Sequence, residues 1–151
     1  LTHIGGVLIE AQQALHHHPE FDANLLLCCA ILHDTLEDTD LSADEVRTTF
    51  GPVILAGVQA LTKDESLPSK RAQMAGSLHR ILAEAPEIAA VKLCDRINNL
   101  CPPPYYWTAE KKVAYREEAQ IILRQLGHVS TYLSQRLADK IAAYGKGEGT
   151  N

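Results

Sequence analysis

Apolar residues recur along this chain at helical spacing, and no stretch alternates with the period of two that a strand requires. From Thr2 to His17, Ile4, Leu8, Ala11 and Leu15 fall at three-to-four-residue intervals and predict one buried face, which Pro19 closes. Asp22 is placed to cap a second helix, Ala23 to Leu32, whose residues are apolar nearly all round. Such a helix belongs in the centre of a fold. Ser42 with Glu45 three residues on is a capping-box signature for a short helix ending near Phe50-Gly51, and Pro52 starts another that runs to about Thr62. Pro68 to Ala85 and Pro86 to Leu100 read as two further helices divided by the Ala85-Pro86 break. The triple proline 102–104 forces an extended turn. A long amphipathic segment follows from Thr108 to about Leu126, ended by Gly127, and a last helix continues to Tyr144. The expected architecture is all-α, a compact multi-helix bundle, with a domain over 1–144 and a flexible Gly-rich tail over 145–151.

Length and composition narrow what this bundle does. The 151 residues make one domain, and 46% apolar content suffices for a core without disulfide staples. With 14 Lys and Arg against 19 Asp and Glu, the net charge of −5 argues against binding a nucleic acid polymer through broad phosphate neutralisation. The longest nearly apolar run, Ala23 to Leu32, contains Asn24 and falls short of the roughly 20 residues a membrane span needs. Cys28, Cys29, Cys94 and Cys101 form no CxxC pair, which suggests a reducing, cytoplasmic setting, with the adjacent pair serving as small core hydrophobes.

Candidate chemistry gathers at the end of the second helix, in the run HDTLED from His33 to Asp38. If the helix persists, His33 faces Glu37 and Asp34 faces Asp38 at i, i+4. Three carboxylates this close repel one another, and Asp34 at the edge of an apolar helix loses hydration, so a compensating cation such as a divalent metal is expected. The alternative is an ordinary polar helix end. Further on, Ile88, Val91 and Asp95 follow at i, i+3 and i+7, which places a carboxylate on a buried face. Lys92 and Arg96 flank it and offer a structural ion pair as the competing explanation, while Asn99 adds a donor and acceptor one turn on. His3 begins the first helix, where Gly5-Gly6 allow a neighbouring backbone to approach closely. Alone, it reads more often as a satisfied surface or core imidazole than as a ligand. His16, His17 and His18 point in different directions on a helix and cannot converge on one ion, so they read as a solvated helix end.

Taken together, His3, the His33-Asp34 pair and the distant Asp95 resemble the motif of the HD-domain metal-dependent phosphohydrolases. Within that superfamily, HDTLED followed by KLCDRINNL is similar to the Rel/Spo-type guanosine polyphosphate pyrophosphohydrolases, as are Phe50-Gly51 and Leu61-Thr62-Lys63. The resemblance runs from Thr2 to about Leu126. It implies metal ligation by His3, His33, Asp34 and Asp95, acid–base and water-positioning roles for Glu37 and Asp38, and substrate contacts from Lys63, Arg96 and Asn99. It implies Mn²⁺ as cofactor, although imidazole and carboxylate ligands also admit Fe, Zn or Mg. The implied reaction is removal of the 3′-pyrophosphate from a phosphorylated nucleotide. The alternatives are an HD-domain phosphatase acting on another nucleotide and a non-catalytic metal- or nucleotide-binding domain. One departure concerns the segment after Asn99, where the family often has Met-Arg-Thr and this chain has Leu100-Cys101-Pro102, then two more prolines and Tyr105-Tyr106-Trp107. Those aromatics either shape a base or sugar pocket or cover the bundle end.

Overall fold

Side-chain caps and prolines set the helix boundaries in the computed structural model, which describes residues 2–145. In chain order the helices are α1 (Thr2–His17), α2 (Ala23–Leu32), the single turn α3 (Thr35–Asp38), α4 (Ala43–Phe50), α5 (Pro52–Leu61), α6 (Lys70–Leu82), α7 (Pro86–Asn99), α8 (Ala109–Leu126) and α9 (Thr131–Ala143). A 3₁₀ turn, Gly127–Val129, joins the last two. Among the described residues there is no strand, so the all-α expectation holds. Of the predicted Gly-rich tail, residues 146–151 lie outside the described residues.

Asp22 accepts from the Leu25 amide at 3.0 Å, Ser69 from Ala72 at 3.1 Å, and Ser42 with Glu45 forms the anticipated capping box. Pro52 and Pro86 occupy first-turn positions, where a missing N–H costs nothing. The sixth helix is shorter than the sequence suggests. Turns around Asp64 and the Ser69 cap delay its start to Lys70, and Ala85, held extended before Pro86, stops it at Leu82. Gly127 follows α8 as expected but keeps right-handed helical geometry, and its small size serves close packing against Ser134.

The centre of the bundle is α7, not α2. Every residue from Glu87 to Ile97 is buried, and α1, α2, α5, α6, α8 and α9 all pack against this helix. α2 contributes Leu25, Leu26, Cys29, Ala30 and Leu32 to the core, yet Ile31 on its outer side is 44% exposed. A helix with Glu87, Lys92, Asp95 and Arg96 can take the central place because each charged group finds a partner there. Glu87, for instance, accepts the Asp22 amide hydrogen at 2.7 Å. Ala89 and Ala90 let neighbours approach closely, and Ile88, Leu93 and Ile97 are fully covered, each worth about 1.5–3 kcal/mol relative to exposure.

No helix of the described residues is long and apolar enough to cross a membrane. Cys29 and Cys94 are buried, Cys28 is half-buried and Cys101 is exposed; all four are free thiols. Burial pushes the Cys29 thiol up to about 12, so only part of the set behaves as inert core.

Candidate metal centre and substrate cleft

The chain breaks helix geometry where HDTLED begins. α2 ends at Leu32, His33 caps it, and Asp34 sits near φ −102°, ψ −1° before α3 starts afresh. The expected i, i+4 pairs along one continuous helix are therefore not formed as such. The break has a chemical use: neighbouring side chains that would diverge on a helix here converge, with His33 Nε2 3.1 Å from Asp34 Oδ2.

α1 brings His3 to the same point and α7 brings Asp95. His3 Nε2 lies 3.3 Å from His33 Nε2, 3.2 Å from Asp95 Oδ1 and 3.8 Å from Asp34 Oδ2, while His33 Nε2 lies 3.7 Å from Asp95 Oδ1. One donor atom from each of His3, His33 and Asp95 falls within 4.8 Å of the others. The outer nitrogens are also engaged. His33 Nδ1 bonds the Ala30 carbonyl at 2.8 Å, and His3 Nδ1 bonds Asn98 Oδ1 at 2.8 Å. Both Nε2 atoms thus turn lone pairs toward each other and toward two carboxylates, an arrangement stable only with positive charge between them.

Without an ion, protons supply that charge. The bond to Asp95 raises the affinity of His3 for a proton above the usual imidazole range, against its partial burial. Burial works against the charged form of His33, but Asp34 and Asp95 outweigh it and raise that group too. The bond from His33 holds Asp34 below the ordinary carboxylate range. Burial alone would push Asp95 upward; Lys92, His3, His33 and Arg96 together hold it well below that range instead. Two imidazoles and two ionised carboxylates fit a hard-to-borderline divalent cation, and each imidazole carries the outer hydrogen bond that orients metal-ligating histidines.

Beside this cluster a cleft of about 600 Å³ opens between α3, the 62–69 loop, α6, α7 and α8. Glu37 and Asp38 line it from the exposed single turn α3. Glu37 Oε1 accepts the Lys63 amide hydrogen at 2.5 Å, and the Lys63 ammonium lies 3.7 Å from its other oxygen. Lys63 therefore stands at the rim, joined in the wall by Lys70, Lys92 and Lys111. Asn99 lines the cleft but gives its amide to Asp95 Oδ1 at 2.8 Å, and Lys92 holds Oδ2 at 3.3 Å. The ion pair foreseen as the competing explanation for Asp95 exists alongside the cluster. Arg96 turns away from Asp95 and binds Glu118 at 2.5 Å with its guanidinium 4.5 Å above the Tyr115 ring; its Nε and Nη1 are buried without a partner.

Two local expectations change. Gly5 meets nothing, whereas Gly6 faces the Asn98 side chain, so the close approach is to an amide and not to backbone. The three histidines are not all solvated: His17 stacks on Tyr132 at 3.9 Å, and His18 bridges Glu20 and Ser130 at 2.8 and 2.7 Å. Sequence reasoning missed Asn98, Tyr115, Lys111 and Glu118. Only Asn98 left a trace, three residues after Asp95 on the same helix face. Of the aromatics after the triple proline, Tyr105 and Tyr106 project outward, 93% and 71% exposed, while Trp107 meets Tyr115 edge-on at 5.4 Å and lines the cleft.

An all-helical bundle in which His3, His33, Asp34 and Asp95 meet beside a cleft lined by lysines and carboxylates defines the HD-domain class anticipated from the motif. No family model matches the chain. The human and zebrafish (Homo sapiens and Danio rerio) guanosine-3′,5′-bis(diphosphate) 3′-pyrophosphohydrolases MESH1 are 31% and 30% identical to it over 137 residues, covering 85% of this chain and 74% and 73% of those proteins. A solved structure of a metazoan SpoT ortholog that hydrolyses ppGpp matches at a TM-score of 0.77 with 26% identity, covering 93% of this chain and 79% of that one. The chain belongs to the family of guanosine-3′,5′-bis(diphosphate) 3′-pyrophosphohydrolases, and membership implies a divalent metal.

Proposed function

We propose that this protein is a metal-dependent phosphohydrolase that removes the 3′-pyrophosphate of guanosine-3′,5′-bis(diphosphate), with Mn²⁺ as its metal and the cytoplasm as its setting. The observation that carries the reading is the convergence of the His3 and His33 Nε2 atoms with the Asp34 and Asp95 carboxylates beside a cleft whose wall also carries Lys63, Lys70 and Lys111. His3, His33, Asp34 and Asp95 hold the ion in this reading. When bound there, a divalent cation supplies Lewis acidity toward a phosphate oxygen and makes water a better nucleophile.

The remaining steps fall to the chain's own groups. Glu37 or Asp38 takes a proton as water attacks the 3′-phosphorus; the new P–O bond forms as the bond to the ribose oxygen breaks, and that oxygen takes up a proton from the same carboxyl or from solvent, releasing pyrophosphate and guanosine 5′-diphosphate. Lys63, Lys70 and Lys111 offset phosphate charge at the rim, where small positive charges placed in advance act without reorganisation. Asn99 and Lys92 fix both oxygens of Asp95, and Arg96 is a substrate contact from the cleft wall. The net negative charge and the absence of a basic face in the sequence favour a mononucleotide over a nucleic acid polymer.

The test is incubation of the purified protein with guanosine-3′,5′-bis(diphosphate) and a panel of other nucleotides, with Mn²⁺, with Mg²⁺ and after chelation. Pyrophosphate release from the tetraphosphate with Mn²⁺ is the expected result. Release from another nucleotide alone would replace the substrate, and no release from any would remove the catalytic reading.

A further inference from the structure

His33 and His3 turn the same nitrogen, Nε2, toward the carboxylates of the cluster by different means. For His33 the outer nitrogen is met by a backbone carbonyl one turn back on its own helix, Ala30, at 2.8 Å. The outer nitrogen of His3, on α1, is met instead from another helix. Asn98 Oδ1 reaches His3 Nδ1 at 2.8 Å, across 95 positions of sequence.

That reach requires an opening in the surface of α1, and Gly6 provides it. A Cβ at Gly6 would lie 2.0 Å from Asn98 Nδ2 and 2.7 Å from its Cγ, far inside contact distance; even a methyl group displaces the amide. Gly5 beside it has open space, so the requirement belongs to one position. Gly6 is three residues from His3 and therefore on the same helix face, directly under the path from α7 to the imidazole. The amide must also be turned correctly. Oδ1 toward Nδ1 leaves Nε2 as a lone pair, whereas Nδ2 in that place would put the proton on Nε2 and close it to a cation.

We propose that Asn98, seated in the gap left by Gly6, is a positioning residue that fixes the Nδ1–H tautomer of His3 and so aims its Nε2 at the cation. This deepens the metal-centre reading and rests on it. Asn98 does not touch the ion or the substrate in this assignment; it acts through His3, as an outer-layer hydrogen bond whose loss typically weakens a metal site by about 10–100-fold.

The experiment compares the wild type with Asn98→Ala, Asn98→Asp and Gly6→Ala in two measurements. The first is ¹H–¹⁵N long-range NMR of the metal-free protein at a pH above imidazole titration, which reads the His3 tautomer directly. The second is a titration with Mn²⁺ alone. Expected are an Nδ1–H tautomer in the wild type, a shift toward Nε2–H in Asn98→Ala with Mn²⁺ affinity down about 10–100-fold, and recovery of both in Asn98→Asp, which keeps an acceptor oxygen. Gly6→Ala should reproduce the Asn98→Ala effect, and the double variant should be no worse than either single one, because both break the same contact. Should Asn98→Ala fold poorly, Asn98→Leu keeps the shape without the acceptor and takes its place. An unchanged tautomer and unchanged Mn²⁺ affinity in a folded variant lacking the acceptor, or fully additive effects in the double variant, would overturn the assignment. A wild type that binds no Mn²⁺ would instead sink the metal reading, while the tautomer in the metal-free protein still decides the role of Asn98.

Discussion

Carboxylates occur on both the floor of the cleft and its outer wall, but they are held in opposite ways. Asp95, on the floor, is buried on the central helix with both oxygens occupied, by Asn99 and His3 on one side and Lys92 on the other. Glu37 and Asp38, on the outer wall, stand on a single exposed turn, and the structure ties Glu37 only to the Lys63 loop. The floor is thus fixed by packing before any ligand arrives, whereas the wall is free to adjust. Metal binding calls for the first property and proton transfer during turnover for the second.

The sharpest way to break this contrast is Asp95→Ala. It strands Lys92 in the core and removes a proposed ligand, so it should cost about 3–5 kcal/mol of stability, read by urea denaturation, along with Mn²⁺ binding read by titration. A fold as stable as the wild type would mean the floor is no more rigid than the wall. Next is Glu37→Gln, which leaves the floor intact. It should lower kcat by about 10²–10⁴-fold at unchanged Mn²⁺ affinity in steady-state kinetics; a parallel loss of metal would place Glu37 on the floor instead.

The dependence of stability on pH separates the regions a third way. In the metal-free protein the His3 and His33 values are raised, so their contribution is complete below about pH 6.5, the unfolded value, and is lost as pH rises through the raised values. Asp34 and Asp95 are depressed, so theirs is present above about pH 3.9 and is lost as pH falls through the lowered values. Thermal denaturation should therefore show a metal-free Tm that declines from mildly acidic to alkaline pH, by about 2–4 °C for each kcal/mol, and recovers when Mn²⁺ replaces the protons. A flat profile would show that the floor holds no net charge balance. The smallest effect is expected from Lys63→Ala on the wall: less than about 1 kcal/mol in stability, with a raised KM for the nucleotide.

How far the sequence foretold this follows the same division. Asp95 was legible because a carboxylate at i+7 from Ile88 breaks a buried face, and helix periodicity survives folding. His33 and Asp34 were legible as a pair, but their convergence depends on the backbone break at Asp34, which no propensity in HDTLED announces. His3 gained meaning only from the family pattern. The Asn98–Gly6 contact and the Arg96–Glu118 pair were invisible, since each depends on which helices lie against α7, and that is settled by the packing of the whole bundle. For the same reason α2, the more apolar segment, seemed the natural centre, and α7 took that place by pairing its charges.

That α7 serves at once as the spindle of the bundle and as the carrier of Asp95 has an evolutionary consequence. Descendants of this chain can hardly vary α7 without loss of foldedness, while the proline turn and the outer part of the 62–69 loop can change at little cost to the core. A lineage built in this way inherits the Asp95 end of its metal site with its skeleton and leaves its periphery open to change.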